Sequence, residues 1–519
     1  MDKRRQRILP YIDDSLVLRV ALPRRATSSF WHTGASGMPC PPEPDTLNPQ
    51  TLFDAQHQRS RHATPPSVAE RHDRLARVVR LLDEHTTALT NAVQADFGIR
   101  GGRLTEIADL FVLRAMLGDL RRHLARWSRP QRVRTPLYLM PGRGHIQRQP
   151  LGVVGIIGPW NYPLQLTLGP AATALAAGNR VMLKPSEITP RTSALLAELV
   201  ARHFAPDEFT VVQGGADVAA EFAALPFDHL FFTGSTAVGR KVAEAAARNL
   251  TPTTLELGGK SPCIVDASCT DFEGAALKIA HGKLLNGGQT CIAPDYVLLP
   301  RGREAAFTQA YRAAVARLFP QLQGNPDYAA IITERHQARL QDLLDEARAG
   351  GAQVEDVGPP EDAGAGAGAG AATRQLGPSL VFGATPAMRL LQEEIFGPIL
   401  PVLPCEDAPQ AIAHINAAPR PLALYWFGTD SAARDAVLRG TVSGGVTVND
   451  TLMHITHERL PFGGVGDSGL GAYHGETGFL RFTHQKAVFV QSRWAAGQLL
   501  YPPYGARFDR MMGWIRKLL

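Results

Sequence analysis

Strand-like and helix-like segments alternate regularly between Leu151 and Gly258. Short apolar runs such as LGVVGII, RVMLKP and HLFFTG are separated by longer helical patterns such as TPRTSALLAELVARHF. Strands joined by crossover helices form a parallel sheet that is covered on both faces, so such strands read as continuous apolar runs. The alternation therefore predicts an α/β fold with a doubly wound parallel sheet, of the kind that binds dinucleotides.

The chain is long enough for more than one domain, because a single core stops growing well below its 519 residues. A second α/β pattern follows the first and is interrupted by EDAGAGAGAGAATRQ, a Gly/Ala repeat that predicts a surface insertion. The predicted parts are a poorly ordered extension (1–60), a dinucleotide-binding domain (61–135 and 151–258), a second, catalytic α/β domain (259–445), a small β arm for oligomerisation (136–150 and 472–492) and a C-terminal tail (493–519).

Two helices are predicted at the start of the first domain. Ser67 and Glu70 have the spacing of a capping box, and the apolar residues that follow them recur at helical intervals. A second amphipathic helix is predicted over Thr105 to Trp127. Residues 1–60 are rich in Pro, Ser, Thr and Arg without a sustained period, which is why that extension is predicted to be poorly ordered.

Composition narrows the partners and the compartment. The formal net charge is 54 − 48 = +6, and the basic residues are interleaved with acidic ones, which argues against a nucleic-acid surface. No uninterrupted apolar run is long enough to cross a membrane, so no span is expected. Five cysteines without a CxxC pair favour a reducing, cytoplasmic setting.

Candidate ligand-binding residues follow the strands of the first α/β pattern. Gly234 and Gly239 flank a strand-to-helix turn, where a helix N-terminus favours an anion and glycines admit a phosphate or a ribose. An ordinary tight turn is the alternative, since the spacing is not GxGxxG. Lys184 and Glu187 in VMLKPSE follow a strand end, where they either bind ribose hydroxyls or are simply solvated.

Three residues have the chemistry of a reaction centre. Asn161, in the Pro-flanked turn GPWNYP, either donates to a developing oxyanion or bonds its own backbone. Glu256 ends the apolar strand TTLELGG, where a desolvated carboxyl has a raised pKa and can take a proton from water. Cys291 lies in the polar, glycine-rich stretch NGGQTCIAPDY, which suits a packed core thiol less well than the surroundings of Cys263 or Cys269.

A tight polar turn predicts that the sulfur of Cys291 is exposed, ionisable and nucleophilic. A disulfide and a metal ligand are the other possibilities. No His or Cys stands at ligand spacing near Cys291, so no metal is expected there.

Eight stretches, in order along the chain, resemble motifs of the aldehyde dehydrogenase superfamily over about residues 60–490. They are PWNYP, LKPSE, FTGS, LELGGK, GGQTCIAPDY, EEIFGPILPV, VND and PFGGVGDSGLG. KPSE, CIAPDY, GAYHGETGFLRFTHQK and YPPY are similar to the class 3 branch in particular, and within it to the bacterial coniferyl aldehyde dehydrogenases.

The resemblance implies a role for each residue that matches a family motif. It implies that Cys291 is the nucleophile, Glu256 the general base and Asn161 the oxyanion donor. The cofactor-binding residues that it implies are Trp160, Lys184, Glu187, Gly234, Ser235, Gly239, Glu394 and Phe396. The tunnel walls that it implies for the aldehyde are Tyr162, Leu166, Ile292, His454 and Phe462.

The implied reaction is oxidation of a hydrophobic aliphatic or aromatic aldehyde, such as coniferyl aldehyde, to the carboxylic acid through a cysteine thiohemiacetal and thioester. NAD is the implied cofactor because a carboxylate at Glu187 repels a 2′-phosphate, although the KPSE form also occurs in members that accept NADP. A homo-oligomer, with a dimer favoured, is the implied assembly. The alternatives are a coenzyme A-acylating enzyme, a reductive enzyme of the same fold and a non-catalytic binding protein. Glu256 argues against the first and the presence of Cys291 against the last.

Overall fold

A six-stranded sheet forms the first α/β unit, in a computed structural model that describes residues 48–359 and 373–518. The strand order is β15-β7-β6-β3-β4-β5, and β3 to β7 are parallel while β15 is antiparallel to β7. Taken from β5 to β7 this is the doubly wound order 3-2-1-4-5, so the predicted fold class is confirmed. The strands are β3 (Val153–Ile157), β4 (Arg180–Lys184), β5 (Phe209–Val211), β6 (His229–Thr233), β7 (Thr253–Glu256) and β15 (Gly469–Leu470).

A seven-stranded sheet forms the second α/β unit. Its order is β10-β11-β12-β9-β8-β13-β14, parallel throughout except for the antiparallel edge pair β10 and β11. The strands are β8 (Pro262–Val265), β9 (Tyr296–Leu299), β10 (Gln353–Asp356), β11 (Ser379–Phe382), β12 (Ile399–Pro404), β13 (Ala423–Phe427) and β14 (Gly445–Val448). The predicted Gly/Ala insertion lies mostly in 360–372, outside the described residues.

A three-stranded antiparallel sheet lies where the arm was predicted. Its order is β1-β2-β16, and β16 pairs with β2 along its whole length, from Thr483 opposite Pro150 to Val490 opposite Arg143. Most side chains of β1 and β16 are exposed. The strands are β1 (Gln131–Val133), β2 (Arg143–Pro150) and β16 (Thr483–Val490).

Most of the helices bury one apolar face, whereas every residue of α5 (Gln165–Ala176) is buried. The helices are α1 (Pro49–His62), α2 (Val68–Phe97), α3 (Gly102–Thr105), α4 (Val112–Trp127), α5 (Gln165–Ala176), α6 (Pro190–His203), α7 (Ala216–Ala223), α8 (Thr236–Ala247), α9 (Phe272–Leu284), α10 (Glu304–Leu318), α11 (Glu334–Ala349), α12 (Arg389–Gln392), α13 (Ala408–Asn416), α14 (Ser431–Gly440), α15 (Met453–Thr456), α16 (Gly475–Arg481) and α17 (Ala506–Leu518). In the described parts of the chain, no helix is both long and apolar enough to cross a membrane.

The predicted extension is wrong at its end, because helix α1 begins at Pro49. The Asn48 side chain accepts the N–H of Gln50 at 2.8 Å and caps the helix. Phe53 is buried edge-on against Phe227, and the Gln56 amide donates to two backbone carbonyls. The buried residues of α1 are too few to show a helical period in the sequence. Residues 1–47 lie outside the described part of the chain.

The two predicted helices form, with one difference. The capping box of α2 is present, since Ser67 and Glu70 exchange hydrogen bonds between side chain and backbone. The second helix begins at Gly102 rather than Thr105 and widens into a π-helix over Glu106–Phe111 before α4. This wider turn holds Asp109, which is fully buried.

Candidate active site

The loop that carries Cys291 is held in a conformation that few residues adopt. Asn286, Gly287 and Gly288 have φ values of 55°, 64° and 78°, three consecutive residues in the left-handed region. Glycine and asparagine are the residues that enter this region at least cost. A Cβ at Gly288 would lie 2.4 Å from the carbonyl of Gly397, so the loop packs directly on another backbone segment.

Gln289 fixes this loop from inside and was missed in the sequence. Its buried amide donates to the carbonyls of Asn286 (2.8 Å) and Ala330 (3.0 Å), and its amide oxygen accepts the N–H of Ile332 at 2.9 Å. A buried amide with all these bonds made adds rigidity. In the sequence, Gln289 is only a polar residue after two glycines, and this pattern does not predict which groups its side chain contacts.

Asn161 lies against the same loop. Its side-chain amide donates to the carbonyl of Gln289 at 3.1 Å. Its own carbonyl accepts the Asn286 side chain at 3.0 Å and a guanidinium N–H of Arg100 at 2.7 Å. An asparagine amide has two N–H donors, so one remains for a group bound beside Cys291. The structure brings Asn161 and the cysteine loop together.

Glu256 is the last residue of β7 and is almost fully buried. Neither of its carboxyl oxygens has a hydrogen-bond partner among the described residues. Burial raises the pKa of Glu256 well above its usual range, and the charge of Arg481 opposes this weakly. The Glu256 carboxyl also raises the pKa of Cys291, which places the two groups within electrostatic reach of each other.

The expectation of an exposed, readily ionised sulfur is wrong for this structure. Cys291 is half-buried. Burial raises the pKa of its thiol above the ordinary range, and the carboxyls of Glu394 and Glu256 add to the shift, while the backbone N–H groups of Cys291 and Ile292 oppose it. The thiol is therefore neutral near pH 7, and its proton needs an acceptor when the sulfur reacts.

Glu394, Phe396 and Trp160 form a second group beside the loop. Burial raises the pKa of Glu394 to about 8, and one of its oxygens has no partner among the described residues. A Cβ at Gly258 would lie 1.9 Å from the other oxygen, so the glycine leaves the room that this carboxyl occupies. Phe396, at φ 53°, meets the Trp160 ring edge-on at 5.4 Å.

The remaining predicted cofactor residues lie at the carboxyl ends of the parallel strands. Lys184 ends β4, is buried, and pairs with Glu187 at 2.8 Å. Burial pushes the pKa of Glu187 upward, but the hydrogen bond from Lys184 prevails and the net shift is downward. Ser235 caps α8 after β6 by accepting the N–H of Val238. This edge is where open α/β sheets bind their ligands.

The two predicted glycines have packing roles in the structure. Gly234 donates its N–H to the Glu256 carbonyl at 3.0 Å. A Cβ at Gly239 would lie 2.5 Å from the Leu257 side chain, so Gly239 lets α8 approach the segment after β7. A cavity of about 630 Å³ opens beside this helix and is lined in part by Thr236, Arg240, Gly258, Gly259 and Glu394. Thr236, in the first turn of α8, is part of this lining, and the N-terminal end of a helix is where a dinucleotide phosphate can bind.

The predicted tunnel residues are all buried. Tyr162 shares a hydrogen bond of 2.5 Å with Thr290, next to the cysteine. Leu166 follows in the first turn of α5. The carbonyl of Ile292 accepts the hydroxyl of Tyr425.

His454 and Phe462 are the other two predicted tunnel residues. Their rings stack at 6.0 Å, and His454 is held by Thr447 at 2.9 Å. Tyr473 was missed: it is fully buried, it meets Phe462 edge-on, and the charges of Glu256 and Cys291 raise its pKa further after burial. In the sequence, Tyr473 lies in the stretch GAYHG, which resembles a family motif but does not by itself indicate a residue of the site.

One group of possible metal ligands lies in the described residues. Glu84, His85 and His203 place one ligand atom each within 4.8 Å of the others. Burial lowers the pKa of His203 most, the carboxylate of Glu84 opposes this shift, and the charges of His85, Arg80 and Arg202 lower the pKa further. The two arginines also weaken the attraction of the group for a cation.

The sequence model of the aldehyde dehydrogenase family matches residues 53–488. The chain belongs to the aldehyde dehydrogenase family. It is 45% identical over 470 residues to a protein of Caulobacter vibrioides named probable coniferyl aldehyde dehydrogenase, covering 89% of this chain and 96% of that protein. It is 41% identical over 385 residues to aldehyde dehydrogenase family 3 member A2 of Pongo abelii, covering 73% and 76%. This aldehyde dehydrogenase is therefore an enzyme of the class 3-like branch.

Solved structures of other aldehyde dehydrogenases have the same fold. The substrate-bound AldH of Staphylococcus aureus matches with a TM-score of 0.84 and 34% identity, covering 90% of this chain and 99% of that one. The Mycobacterium tuberculosis aldehyde dehydrogenase complexed with NAD⁺ matches with a TM-score of 0.75 and 28% identity, covering 86% and 90%.

Proposed function

We propose that this aldehyde dehydrogenase oxidises a hydrophobic aliphatic or aromatic aldehyde of the coniferyl aldehyde type to its carboxylic acid, with NAD as oxidant. The observation that carries the proposal is the pairing of Cys291 with Glu256. Glu256 is almost fully buried and Cys291 is half-buried, the Glu256 carboxyl raises the pKa of the thiol, and both carboxyl oxygens of Glu256 are unpartnered among the described residues. A buried carboxyl without a partner is costly unless it has a chemical role.

The first half of the reaction uses Cys291 and Asn161. The sulfur of Cys291 bonds to the aldehyde carbon, and the thiol proton passes through water to the solvent, which leaves the Glu256 carboxylate free for the second half of the reaction. The free N–H of Asn161 and the backbone N–H of Cys291 hold the resulting oxyanion, an effect of about 3–4 kcal/mol for one donor. Bound NAD supplies the acceptor for the hydride that leaves this carbon.

The second half of the reaction uses Glu256. Loss of hydride leaves an acyl thioester on Cys291, which only water has to cleave. Glu256 takes a proton from that water, the new C–O bond forms, and the C–S bond breaks to release the acid and restore the sulfur. The high pKa of Glu256 makes its carboxylate a strong enough base for this step.

The dinucleotide site is proposed at the carboxyl edge of the six-stranded sheet. Lys184 and Glu187 would hold the adenosine ribose, the N-terminus of α8 with Gly234, Ser235 and Gly239 the pyrophosphate, and Glu394 with Phe396 and Trp160 the nicotinamide side. NAD is preferred to NADP because the half-exposed Glu187 carboxylate repels a 2′-phosphate.

The substrate and the setting are part of the proposal. Apolar or aromatic side chains dominate the proposed tunnel, which suits a hydrophobic aldehyde. The four described cysteines are all unpaired, as a reducing cytoplasm favours. A dimer through the three-stranded arm is the proposed assembly.

Two variants test the proposal. Cys291→Ala should abolish NAD reduction with cinnamic, benzylic and aliphatic aldehydes, whereas Cys269→Ala, which removes another unpaired thiol, should leave it unchanged. Glu256→Gln should still give one equivalent of NADH per site in a rapid-mixing burst, then a steady-state rate at least about 100-fold lower. Retained turnover in Cys291→Ala would remove the nucleophile, and a normal steady state in Glu256→Gln would remove the base.

A further inference from the structure

A fully buried arginine stands behind the turn that carries Asn161. One guanidinium nitrogen of Arg100 donates to the backbone carbonyl of Asn161 at 2.7 Å, and another donates to the carboxylate of Asp109 at 2.5 Å. Arg100 and Asp109 each have no exposed surface. Burying an ion pair costs several kcal/mol unless its geometry is good, so its presence beside a reaction centre calls for a reason.

Asp109 extends the contact to the other end of the same turn. Its second oxygen accepts the backbone N–H groups of Leu164 (3.2 Å) and Gln165 (3.1 Å), which open helix α5. Asp109 comes from the π-helix, whose widened turn holds it in the interior. Such π-turns are frequent at functional sites. The ion pair therefore contacts the backbone of this turn at Asn161 and again at Leu164 and Gln165.

The guanidinium also packs on two aromatic rings. It lies over the Phe97 ring at 4.7 Å and the Tyr162 ring at 5.3 Å from each centroid, in cation–π geometry. The hydroxyl of Tyr162 is bonded to Thr290, the residue before Cys291. Arg100 thus contacts the side chain of one predicted tunnel wall and the backbone of the predicted oxyanion donor.

We infer that Arg100 is a positioning residue for the reaction at Cys291, with Asp109 as its counterion, an inference that rests on the proposed function. The Asn161 carbonyl receives one donor from the cysteine loop, the Asn286 amide, and one from Arg100. Two donors on one carbonyl restrict the orientation of its peptide plane, and so the direction of the Asn161 amide relative to the sulfur. A displacement of about 1 Å at such a donor can lower a rate about 100-fold.

An arginine is suited to this role in a way that a lysine is not. Its planar fork reaches the Asn161 carbonyl and the Asp109 carboxylate at once, and its flat face stacks on the two rings. An ammonium group in the same place keeps the charge but is a single point donor without that face.

Arg74 provides a matched control. It too is almost fully buried, and it too donates to one carboxylate, that of Glu208 at 2.7 Å, and to one backbone carbonyl, that of Asn179 at 3.1 Å. Its partners lie at the far ends of α5 and β5, not at the Asn161 turn. Arg74→Met should therefore cost stability without changing the chemistry at Cys291.

The experiment compares Arg100→Met, Arg100→Lys and Arg74→Met with the wild-type protein. The burst rate of NADH formation should fall about 10- to 100-fold in Arg100→Met, with the KM for NAD changed less than about 3-fold. Arg100→Lys should recover at least about 3-fold over Arg100→Met because the charge is kept. Hydrogen exchange of residues 159–168 should be at least about 10-fold faster in Arg100→Met alone.

Each outcome decides the inference. Equal burst rates and exchange in Arg100→Met and Arg74→Met, measured at a temperature where both are folded, would reduce Arg100 to a stabilising residue and overturn it. Should Arg100→Met not fold, Arg100→Lys with a wild-type burst rate and wild-type exchange would overturn it equally. A wild-type protein that reduces no NAD with any aldehyde would end the proposed function, and the exchange of the turn would then decide the role of Arg100 alone.

Discussion

At the scale of single residues, two carboxyl groups affect the ionisation of Cys291. Glu256 and Glu394 both interact electrostatically with Cys291, and burial raises the pKa of both carboxyls. Protonation of either carboxyl removes a negative charge that would otherwise oppose ionisation of the sulfur. Their burial is therefore compatible with a nucleophilic cysteine, although it favours the neutral thiol in the free protein.

Glu394 makes the stability of the protein depend on pH. Its folded pKa of about 8 lies above the ordinary 4.5. The folded state keeps this proton where the unfolded state has lost it, so stability is lost as pH rises from about 4.5 through about 8. Glu394→Gln cannot ionise. Between pH 6 and 9 the wild-type thermal midpoint should fall about 2 °C more than that of Glu394→Gln.

The neighbouring Glu393 is the control for this titration. It is largely exposed, and the hydrogen bond from Arg389 lowers its pKa. The contribution of Glu393 to the free energy of unfolding is already complete at pH values above the pKa of this carboxyl in the unfolded chain. The thermal midpoint of Glu393→Gln should therefore follow that of the wild-type protein between pH 6 and 9. Parallel curves for wild type and Glu394→Gln would show that the buried carboxyl does not ionise in this range.

Sequence reasoning identified the candidate reactive residues but not the residues that hold them in place. Cys291, Glu256 and Asn161 stand out because a cysteine, a glutamate or an asparagine at such a strand end or turn suggests a chemical role. Gln289 and Arg100 do not, because a polar residue in a loop carries no signal until its distant partners are known: Ala330 and Ile332 for Gln289, Asp109 for Arg100. The sulfur's raised pKa was missed for the same reason, since burial depends on the whole fold.

At the scale of the element, the cysteine loop is defined by close backbone contact. Gly288 combines a φ of 78° with a Cβ position 2.4 Å from the Gly397 carbonyl. Gly302 has the same φ of 78°, and nothing lies within 4 Å of its Cβ position. A comparison of alanine substitutions at Gly288 and Gly302 therefore separates the cost of backbone strain from the cost of a steric clash.

Gly302→Ala should cost only the left-handed strain, about 1–2 kcal/mol. Gly288→Ala should cost about 1–3 kcal/mol more, because a backbone carbonyl cannot turn aside as a side chain can. It should also displace the loop and lower aldehyde oxidation at least about 100-fold. Thermal unfolding and NADH formation measured on both variants check this, and equal losses in the two would mean that the loop yields.

Elements were predictable where a pattern is long and local. The parallel strands and α2 follow from apolar runs and a capping box, each legible within a few residues. Helix α1 was missed because its burial rests on two apolar residues and on Gln56, whose partners are carbonyls of Val181 and Pro206. The π-helix was missed because the helical period of 105–127 is the same with or without one widened turn.

At the scale of the whole molecule, the three-stranded arm leaves an unusual edge. Strand β16 pairs with β2 on one side only within the described chain, and its exposed residues include Phe489 and Val490. Leu137, in the segment between β1 and β2, is 59% exposed. A long edge strand with apolar side chains is a template for pairing with another chain. This supports the proposed dimer through the arm.

The dimer can be tested by charging the arm. Sedimentation of the wild-type protein at micromolar concentration should give about twice the chain mass of 56.1 kDa. Leu137→Glu with Val490→Glu, which is 56% exposed, should shift it toward the monomer, because two carboxylates at a covered apolar patch must be desolvated. Leu250→Glu is the control, since Leu250 is 90% exposed and lies outside the arm. A dimer that survives the double substitution places the interface elsewhere, and a monomeric wild type removes the dimer.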